Sequence, residues 1–362
     1  MMRRIVLVLL LAAMLASGVC AATDVLQEEA AILGADKLED ALPDEAADAL
    51  DGVSPLGSGS FSDGFKQVLS SAVKGLGGWM RSGVRVAAGL LAVALLCGMG
   101  SGYGGAAARM AGCLGIAAVC TSSLYGMIAL ARETLDGLGN FSALLLPVLS
   151  AALTASGGVT SGSAIYAGAT LLISVLTSLI RSFLIPCVYC YFFLAVAQYA
   201  IGDDRLECLR ELAGWTVKTA LRAAVAAFTG YLALTGLLAG TADEMALKAA
   251  KSVISTAIPV VGGMISEASQ AVLTSAALIR SSAGVFGLLA VLAMGLGPFL
   301  QIAVQYLALR VTAALSGFLA MQEHTKLLSC AADAMGDMLA MTGSAMLMVI
   351  VAVCTLIRVV NG

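Results

Sequence analysis

Long apolar runs, separated by short polar or glycine-rich breaks, fill the chain from residue 84 to its end. A helix needs about 20 such residues to cross a bilayer. Nine runs approach this length and are predicted membrane helices: Val84–Gly102, Met110–Ala131, Phe141–Ser156, Ala164–Ile180, Phe183–Ile201, Thr219–Gly240, Ala283–Leu300, Gln301–Ala320 and Met338–Ile357. The strict apolar–polar alternation of a membrane β-barrel is missing. The pattern predicts an all-α polytopic membrane protein with roughly eight to ten membrane elements, some broken or re-entrant.

The first residues have the pattern of a targeting segment. Arg3 and Arg4 precede the short apolar run Ile5–Ala16, and small residues follow that run. A charged start, a short apolar core and a small-residue end are typical of a secretory signal peptide, which we predict over residues 1–22. An uncleaved signal anchor is the alternative.

An acidic segment follows over residues 23–78. It holds 11 of the 23 carboxylates of the chain, and its end, Val53–Gly64, is rich in glycine and serine. We predict one or two short surface helices and then a linker, on the extracytoplasmic side. Residues 79–362 then form the polytopic membrane domain.

The amino-acid composition excludes several classes of protein. Hydrophobic residues make up 60% of the chain and charged residues 12%, whereas soluble domains carry about 25% charged residues. Mean hydropathy is +0.96, which excludes a soluble enzyme and a disordered chain. The net charge of −3 gives no basic surface for nucleic acid. A single histidine, His324, leaves little for histidine catalysis or metal binding, and we predict neither a cofactor nor a metal.

A patterned polar stripe begins at Thr241. Thr241 and Glu244 have the spacing of a capping box, which predicts that a helix starts here. Glu244, Lys248 and Lys251 then recur at helical spacing on one face. This pattern predicts an amphipathic helix on or near the bilayer surface.

A break follows this helix. Pro259, Gly262 and Gly263 interrupt the run Ile258–Ile279, which also contains Glu267. A break at membrane depth requires protein or a water-filled cavity beside it. A plain hairpin outside the membrane is the alternative, so the run is predicted either as a membrane helix or as a surface helix.

Arg310 is a charged residue in an otherwise apolar run. Intramembrane charge is costly and is usually functional. Gln301 and Gln305 precede it, but at helical spacing the three side chains do not share one face. A pore-lining or partner-pairing role is one interpretation, and an arginine that reaches out from a helix end is the other.

Proline spacing suggests an internal repeat. Pro147 and Pro186 are 39 residues apart, as are Pro259 and Pro298. Repeated halves with broken helices are common in transporters. The hypothesis is that residues 141–200 and 253–312 are two copies of one helical unit.

Two runs of sequence resemble a known family. ADEMALKAAKSVISTAIPVVGGMISEASQAVLTSAALIRSSAGVFGLLAV (242–291) and LLLPVLSAALTASGGVTSG (144–162) are similar to the stage III sporulation protein AE family. The order of signal peptide, acidic segment and polytopic region is similar too. In one respect the chain departs from the pattern, because an amide, Gln270, stands where the family has a second acidic residue near Glu267.

The resemblance implies a subunit of the mother-cell-to-forespore channel of endospore-forming bacteria, in the outer forespore membrane and facing the mother cell. It implies an eight-protein assembly with an ATPase, stage III sporulation protein AA. Ring-forming partners, stage III sporulation proteins AG and AH, would meet the forespore membrane protein SpoIIQ.

The chain itself has no phosphate-binding loop of the G-x-x-x-x-G-K-[ST] type. We therefore expect no ATPase activity and no other enzymatic activity. Two functions remain open: a channel or export-gate component driven by a separate ATPase, and a non-conducting membrane scaffold that assembles or localises the other proteins.

Overall fold

The computed structural model of the protein is built of helices. It describes residues 30–32, 34–35, 37–50, 53–55, 61–156, 159–202, 204–257, 262–319 and 322–358. Only the backbone is described for residues 98–106, 108–109, 159–161, 204, 236–257, 262–273, 275, 319 and 358. Its elements are α1 (Lys37–Asp40), α2 (Asp44–Ala49), α3 (Phe61–Ala155), α4 (Val159–Leu179), a π-helical segment (Ile180–Leu184), α5 (Ile185–Ile201), a 3₁₀ turn (Asp204–Leu206), α6 (Glu207–Ala257), α7 (Gly262–Leu319) and α8 (Gln322–Arg358). The predicted all-α class is confirmed, since these residues contain no strand.

Helix α3 folds back on itself. A Cβ at Gly115 would lie 3.0 Å from Val93 Cγ1, and one at Gly112 would lie 3.0 Å from Cys97 Cβ. A straight helix would separate Val93 from Gly115 by about 33 Å. The chain therefore reverses between Cys97 and Met110, as the predicted break between the first two spans requires. We call Phe61–Cys97 the first arm and Met110–Ala155 the second arm.

Six helical segments of the described chain are long and apolar enough to cross a membrane: Phe61–Cys97, Met110–Ala155, Gly162–Ile201, Glu207–Thr235, Ala276–Phe318 and Gln322–Ile357. This confirms a polytopic helical protein but gives fewer elements than predicted. The predicted breaks at Arg181 and before Pro298 are wrong, because the helical backbone continues through both. Neighbouring helices can supply hydrogen-bond partners for the guanidinium of an arginine and for the backbone carbonyl that a proline leaves without an N–H donor.

Helix α7 is the centre of the bundle. The first arm runs parallel to it, since Gly64 lies against Leu289 and Gly83 lies against Val304. The second arm runs antiparallel to it, since Gln305 bonds Ser123 while Gly287 lies against Leu145. α8 is also antiparallel to α7, as contacts between Arg310 and Asp333 and between Phe299 and Gly343 show.

The remaining helices extend this up-and-down order. α4 lies antiparallel to the second arm, where Ser150 Oγ donates to the carbonyl of Gly162 (2.9 Å). α6 lies antiparallel to α4, where Tyr231 donates to the carbonyl of Ala164 (2.9 Å). A Cβ at Gly168 would overlap Tyr231, so glycine is what permits this close approach.

The acidic segment packs onto the bundle through one buried face. Leu38 and Ala46 are buried, and Gly34 lies beside Val148 of the second arm. Residues of the segment between Glu39 and Val53 line a cavity of about 400 Å³ together with Phe286 of α7. The segment therefore covers the end of the bundle where the first arm begins. The predicted signal peptide over residues 1–22 lies outside the described residues.

The predicted helix start at Thr241 is wrong. α6 runs through this position without a break to Ala257, so Thr241 is not a capping residue. The sequence from Ala242 to Lys251 is rich in alanine and lysine, which are strong helix formers that continue a helix already under way. α6 ends two residues before Pro259, as expected for a chain entering proline.

The proline register of the repeat hypothesis is also wrong. Pro147 lies inside a continuous helix, eight residues before its end at Ala155, whereas Pro259 falls between α6 and α7 and outside the described residues. Pro186 opens α5 directly after the π-helical segment, and Pro298 lies within α7. Equal spacing along the sequence thus corresponds to different places in the fold, so residues 141–200 and 253–312 are not copies in that register.

Candidate functional site

A polar cavity of about 400 Å³ lies between the second arm and α4. α4 carries no charged residue, and the second arm carries only Arg132 and Glu133 besides Asp136, so the polar lining is unusual for their position. The cavity is lined by two charged groups, one amide and six hydroxyls: Asp136, Arg181, Asn140, Ser142, Thr170, Ser174, Thr177, Ser178 and Ser182. Such groups in membrane helices face protein or water, because hydrocarbon offers them no partner.

An ion pair spans the cavity. The carboxylate of Asp136 on the second arm pairs with the guanidinium of Arg181. Each side chain is somewhat over two-fifths exposed, 44% and 43% respectively, so the pair faces the open space and is not sealed in the core. Pairing gives each charge a partner, so that neither is left uncompensated in this part of the bundle.

The backbone at Arg181 departs from α-helical geometry. Residues Ile180–Leu184 form one π-helical turn, in which the N–H of Ile185 donates to the carbonyl of Ile180. Pro186 explains this, because it has no N–H to offer the carbonyl of Ser182 and the wider turn shifts the hydrogen-bond register just before it. Such π turns are frequent at functional sites.

Three of the six hydroxyls that line the cavity donate to carbonyls of their own helix. Ser142 donates to Gly139 O (2.9 Å), Ser174 to Leu171 O (2.8 Å), and Thr177 to Ile173 O (2.9 Å). Thr170 Oγ1 is buried and has no hydrogen-bond partner. The lining therefore keeps acceptor capacity and at least one hydroxyl, that of Thr170, for a water molecule or a polar solute.

A second polar cluster joins α6, α7 and α8. Arg310 of α7 donates to Asp333 of α8 (2.6 Å) and to the Tyr306 hydroxyl (3.3 Å). Arg210 of α6 contacts Cys330 Sγ (3.1 Å) on α8, and its guanidinium lies 5.9 Å from the ring centre of Tyr199. Three helices are thus cross-linked by charged side chains.

Among the predicted site residues, Arg310 lies apart from those at the beginning of α7. Glu244, Lys248 and Lys251 lie on α6, and Gly262, Gly263 and Glu267 lie on the first turns of α7. Pro259 lies outside the described residues. Glu267 is 43 residues before Arg310 on one continuous helix, a separation of about 65 Å. Arg310 therefore belongs to a different place in the molecule from the others.

Sequence reasoning missed Asp136 and Arg181. Both carry a signal, since Asp136 lies between the predicted spans Met110–Ala131 and Phe141–Ser156, and Arg181 lies between Ala164–Ile180 and Phe183–Ile201. Among the described residues, no group of three histidine, cysteine or carboxylate side chains could hold a metal ion.

Comparison with known proteins identifies the family. The family model described as Stage III sporulation protein AE matches residues 58–359. The chain belongs to this family. The stage III sporulation protein AE of Bacillus subtilis (strain 168) is 23% identical over 181 residues, which is 50% of this chain and 45% of that relative. The match thus spans about half the length of this curated relative. No solved structure matches the chain.

Membership in the stage III sporulation protein AE family implies a role in sporulation and agrees with the multi-pass helical bundle. The family match includes both arms of α3 and all of α4 to α8, up to Val359. The cavity with Asp136 and Arg181 therefore lies inside the family region.

Proposed function

We propose that the chain is an integral membrane subunit of the channel or secretion-like complex that connects mother cell and forespore during endospore formation. Its family supports a role in sporulation. The six apolar helical segments found among the described residues support a multi-pass position in the membrane. In this proposal it lies in the outer forespore membrane, on the mother-cell side.

The polar cavity is the observation that supports a subunit that conducts a polar solute or gates its passage. A polar solute that enters an apolar bundle must exchange water for protein hydrogen bonds, and the hydroxyls beside Asp136 and Arg181 offer them. The ion pair keeps the net charge of the cavity near zero. Opening the pair would expose one cationic and one anionic group to the solute, which is a simple way to couple passage to helix movement.

Energy for transport must come from other subunits in this proposal, since the sequence has no phosphate-binding loop. The ATPase AA of the same complex would supply it. Proteins AG and AH would connect the subunit indirectly to SpoIIQ.

A membrane scaffold is the second candidate, and the dense packing of the bundle favours it. Phe141, Phe192, Phe228 and Phe286 are fully buried on four different helices. A core filled in this way holds its helices in fixed positions, which suits a subunit that positions other proteins.

Cysteine labelling separates the two candidates. In a full-length chain without native cysteines, Ser178→Cys places a thiol in the cavity, and Ala169→Cys places one on the same helix in the fully buried core. Both are treated in sporulating cells with a small water-soluble thiol reagent, and late forespore gene expression is measured before and after.

A conducting subunit predicts that Ser178→Cys reacts, that Ala169→Cys does not, and that the reaction blocks late forespore gene expression. If Ser178→Cys reacts without any effect on gene expression, or stays unreactive in cells that sporulate normally, the cavity is not a transport path and the scaffold explains the family role.

A further inference from the structure

We propose that Asp337 of α8 is a proton-binding site, and that release of its proton draws Lys218 of α6 onto α8. Binding and release of the proton would thereby change the contact between these two helices. The site does not depend on whether the subunit conducts, because it concerns the packing of α6 on α8 and not the cavity beside Asp136.

Asp337 is a buried acidic residue within an apolar helical segment. It is 7% exposed, and no other acidic residue whose side chain the structure describes is buried. It forms no hydrogen bond and no ion pair with the described residues. Its helix is one of the segments long and apolar enough to cross a membrane. A carboxyl group in such a place is costly when charged, and ionisable residues there often carry a function.

Lys218 lies level with Asp337 on the neighbouring helix. The Arg210 guanidinium of α6 contacts Cys330 Sγ of α8 (3.1 Å), and further along both helices the charge of Lys218 acts on Asp337. α6 and α8 therefore run parallel here. Lys218 follows Arg210 by eight residues and Asp337 follows Cys330 by seven, so both lie about 10–12 Å beyond the first contact.

The two side chains differ in their access to water. Lys218 is exposed, and its ammonium group lies at the end of a flexible four-carbon chain that can point to water or to α8. Asp337 has a short side chain, which keeps its carboxyl group in the buried interface. Lys218 is therefore the partner that moves.

Asp333, one turn before Asp337 on α8, is the contrasting carboxylate. It accepts a hydrogen bond from Arg310 Nη2 (2.6 Å), and Arg310 also donates to the Tyr306 hydroxyl (3.3 Å). The charge of Asp333 thus has a partner held in place by a second contact. A charged Asp333 also repels a second negative charge at Asp337.

Other ionisable groups surround this face of α8. They are Tyr191 of α5, Arg210 of α6, Tyr306 and Arg310 of α7, Cys120 of the second arm and Cys330 of α8 itself. The two arginines already contact Cys330 and Asp333. Among the described residues, Lys218 is thus the cation that can respond to a charge on Asp337.

Two opposing effects set the charge of Asp337. Removal from water and the nearby Asp333 favour the neutral carboxyl group, whereas approach of Lys218 favours the carboxylate. The two changes are therefore linked: loss of the proton attracts Lys218, and movement of Lys218 towards α8 expels the proton. Acidic conditions should leave Lys218 in water, and alkaline conditions should bring it to α8.

Infrared difference spectroscopy of the full-length protein in detergent tests proton binding directly. The C=O stretch of a neutral carboxyl group in apolar surroundings is resolved from the bands of carboxylates, so its loss on raising the pH gives a titration curve. The curve should be absent from Asp337→Asn, which has nearly the same shape as the proton-bound group. It should be present in Glu133→Gln, which changes an exposed carboxylate.

Variants of Lys218 test the link to α6. Lys218→Met removes the cation and should raise the proton affinity of Asp337 about tenfold or more, which moves the titration curve upwards by about one pH unit. Lys218→Arg keeps the charge and should leave the curve near its native position. Arg222→Met changes an exposed cation one turn further along α6 and is the matched control.

Trp215 reports on movement of α6. It lies three residues before Lys218 and is 63% exposed, and Trp79→Phe leaves it as the single tryptophan of the chain. Its emission should change over the pH range in which Asp337 titrates, and Asp337→Asn should remove this change. An infrared curve that persists in Asp337→Asn, equal curves for Lys218→Met and Arg222→Met, or an emission change that survives Asp337→Asn would each overturn the proposal.

Discussion

The carboxylate of Asp136 pairs with the guanidinium of Arg181 across a cavity between the second arm and α4. Arg181 lies in a π-helical turn that Pro186 imposes on the chain, so the turn sets the direction of its side chain. A local sequence feature, one proline, thus contributes to a contact between distant parts of the sequence.

Reversing this ion pair should be tolerated only when both residues are exchanged. Asp136→Arg places two cations in contact, and Arg181→Asp places two carboxylates in contact, so each single variant should lower sporulation strongly. The double variant restores opposite charges and should recover most of the activity. Sporulation efficiency in a strain lacking the native gene is the measurement.

Asp63 and Lys66 provide the matched control, because they form an exposed pair on the first arm. Exposed pairs contribute about 0–1 kcal/mol, so either charge reversal there should leave sporulation near the native level. If the double variant at Asp136 and Arg181 is no better than the single ones, pairing is not what these two residues provide.

Close helix approach at Gly168 gives a second prediction. Gly168→Ala would place a Cβ within the ring of Tyr231, and overpacking of this kind costs about 1–3 kcal/mol. Gly126→Ala meets nothing within 4 Å and should stabilise the helix by roughly 0.4–1 kcal/mol. Thermal unfolding in detergent should move in opposite directions for the two variants, and equal midpoints would contradict the packing at Gly168.

The sequence predicts the existence of the helices better than their ends. Apolar runs identify every segment that crosses the bundle, and the glycine-rich stretch before Met110 correctly indicates a reversal. Arg181 and Pro298 also look like breaks, yet the helix continues through them. The predicted break and the observed helix differ at Arg181 because Asp136, from another part of the chain, neutralises its charge. The local sequence pattern contains no information about that contact.

The candidate site follows the same logic. Arg310 stands out from the sequence because it is alone in an apolar run, and its partner Asp333 then comes from the next helix. Asp136 resembles the polar end of a span until the fold places Arg181 beside it. At Thr241 the sequence predicts a helix start that is not there. A capping motif has no effect inside a helix that is already continuous.

A third prediction concerns the charged stripe on α6. Lys251 lies six residues before α6 ends at Ala257, whereas Lys66 lies on the exposed beginning of α3. Charge reversal at Lys251 should therefore impair assembly or transport more than charge reversal at Lys66. Sporulation efficiency and recovery of the protein with its complex are the measurements, and equal values for the two variants would remove the assignment of Lys251.

The last prediction concerns the amide that joins α7 to the second arm. Gln305 is buried, and its Nε2 donates to Ser123 Oγ at 2.6 Å. Hydrogen bonds between membrane helices contribute about 0.6 kcal/mol on average and up to about 1.7 kcal/mol. Ser123→Ala should cost an amount in this range or more, since it leaves a buried amide without its acceptor, and Gln305→Leu should cost less, because the hydroxyl can bond its own helix.

In the double variant both polar groups are absent, and the two helices meet through apolar contact. Its free energy of unfolding should therefore lie close to that of Gln305→Leu and not at the sum of the two single effects. A thermodynamic cycle of the four proteins in one detergent measures the coupling. Strict additivity would mean that Gln305 and Ser123 do not interact, and the antiparallel register of α7 and the second arm would lose one of its main contacts.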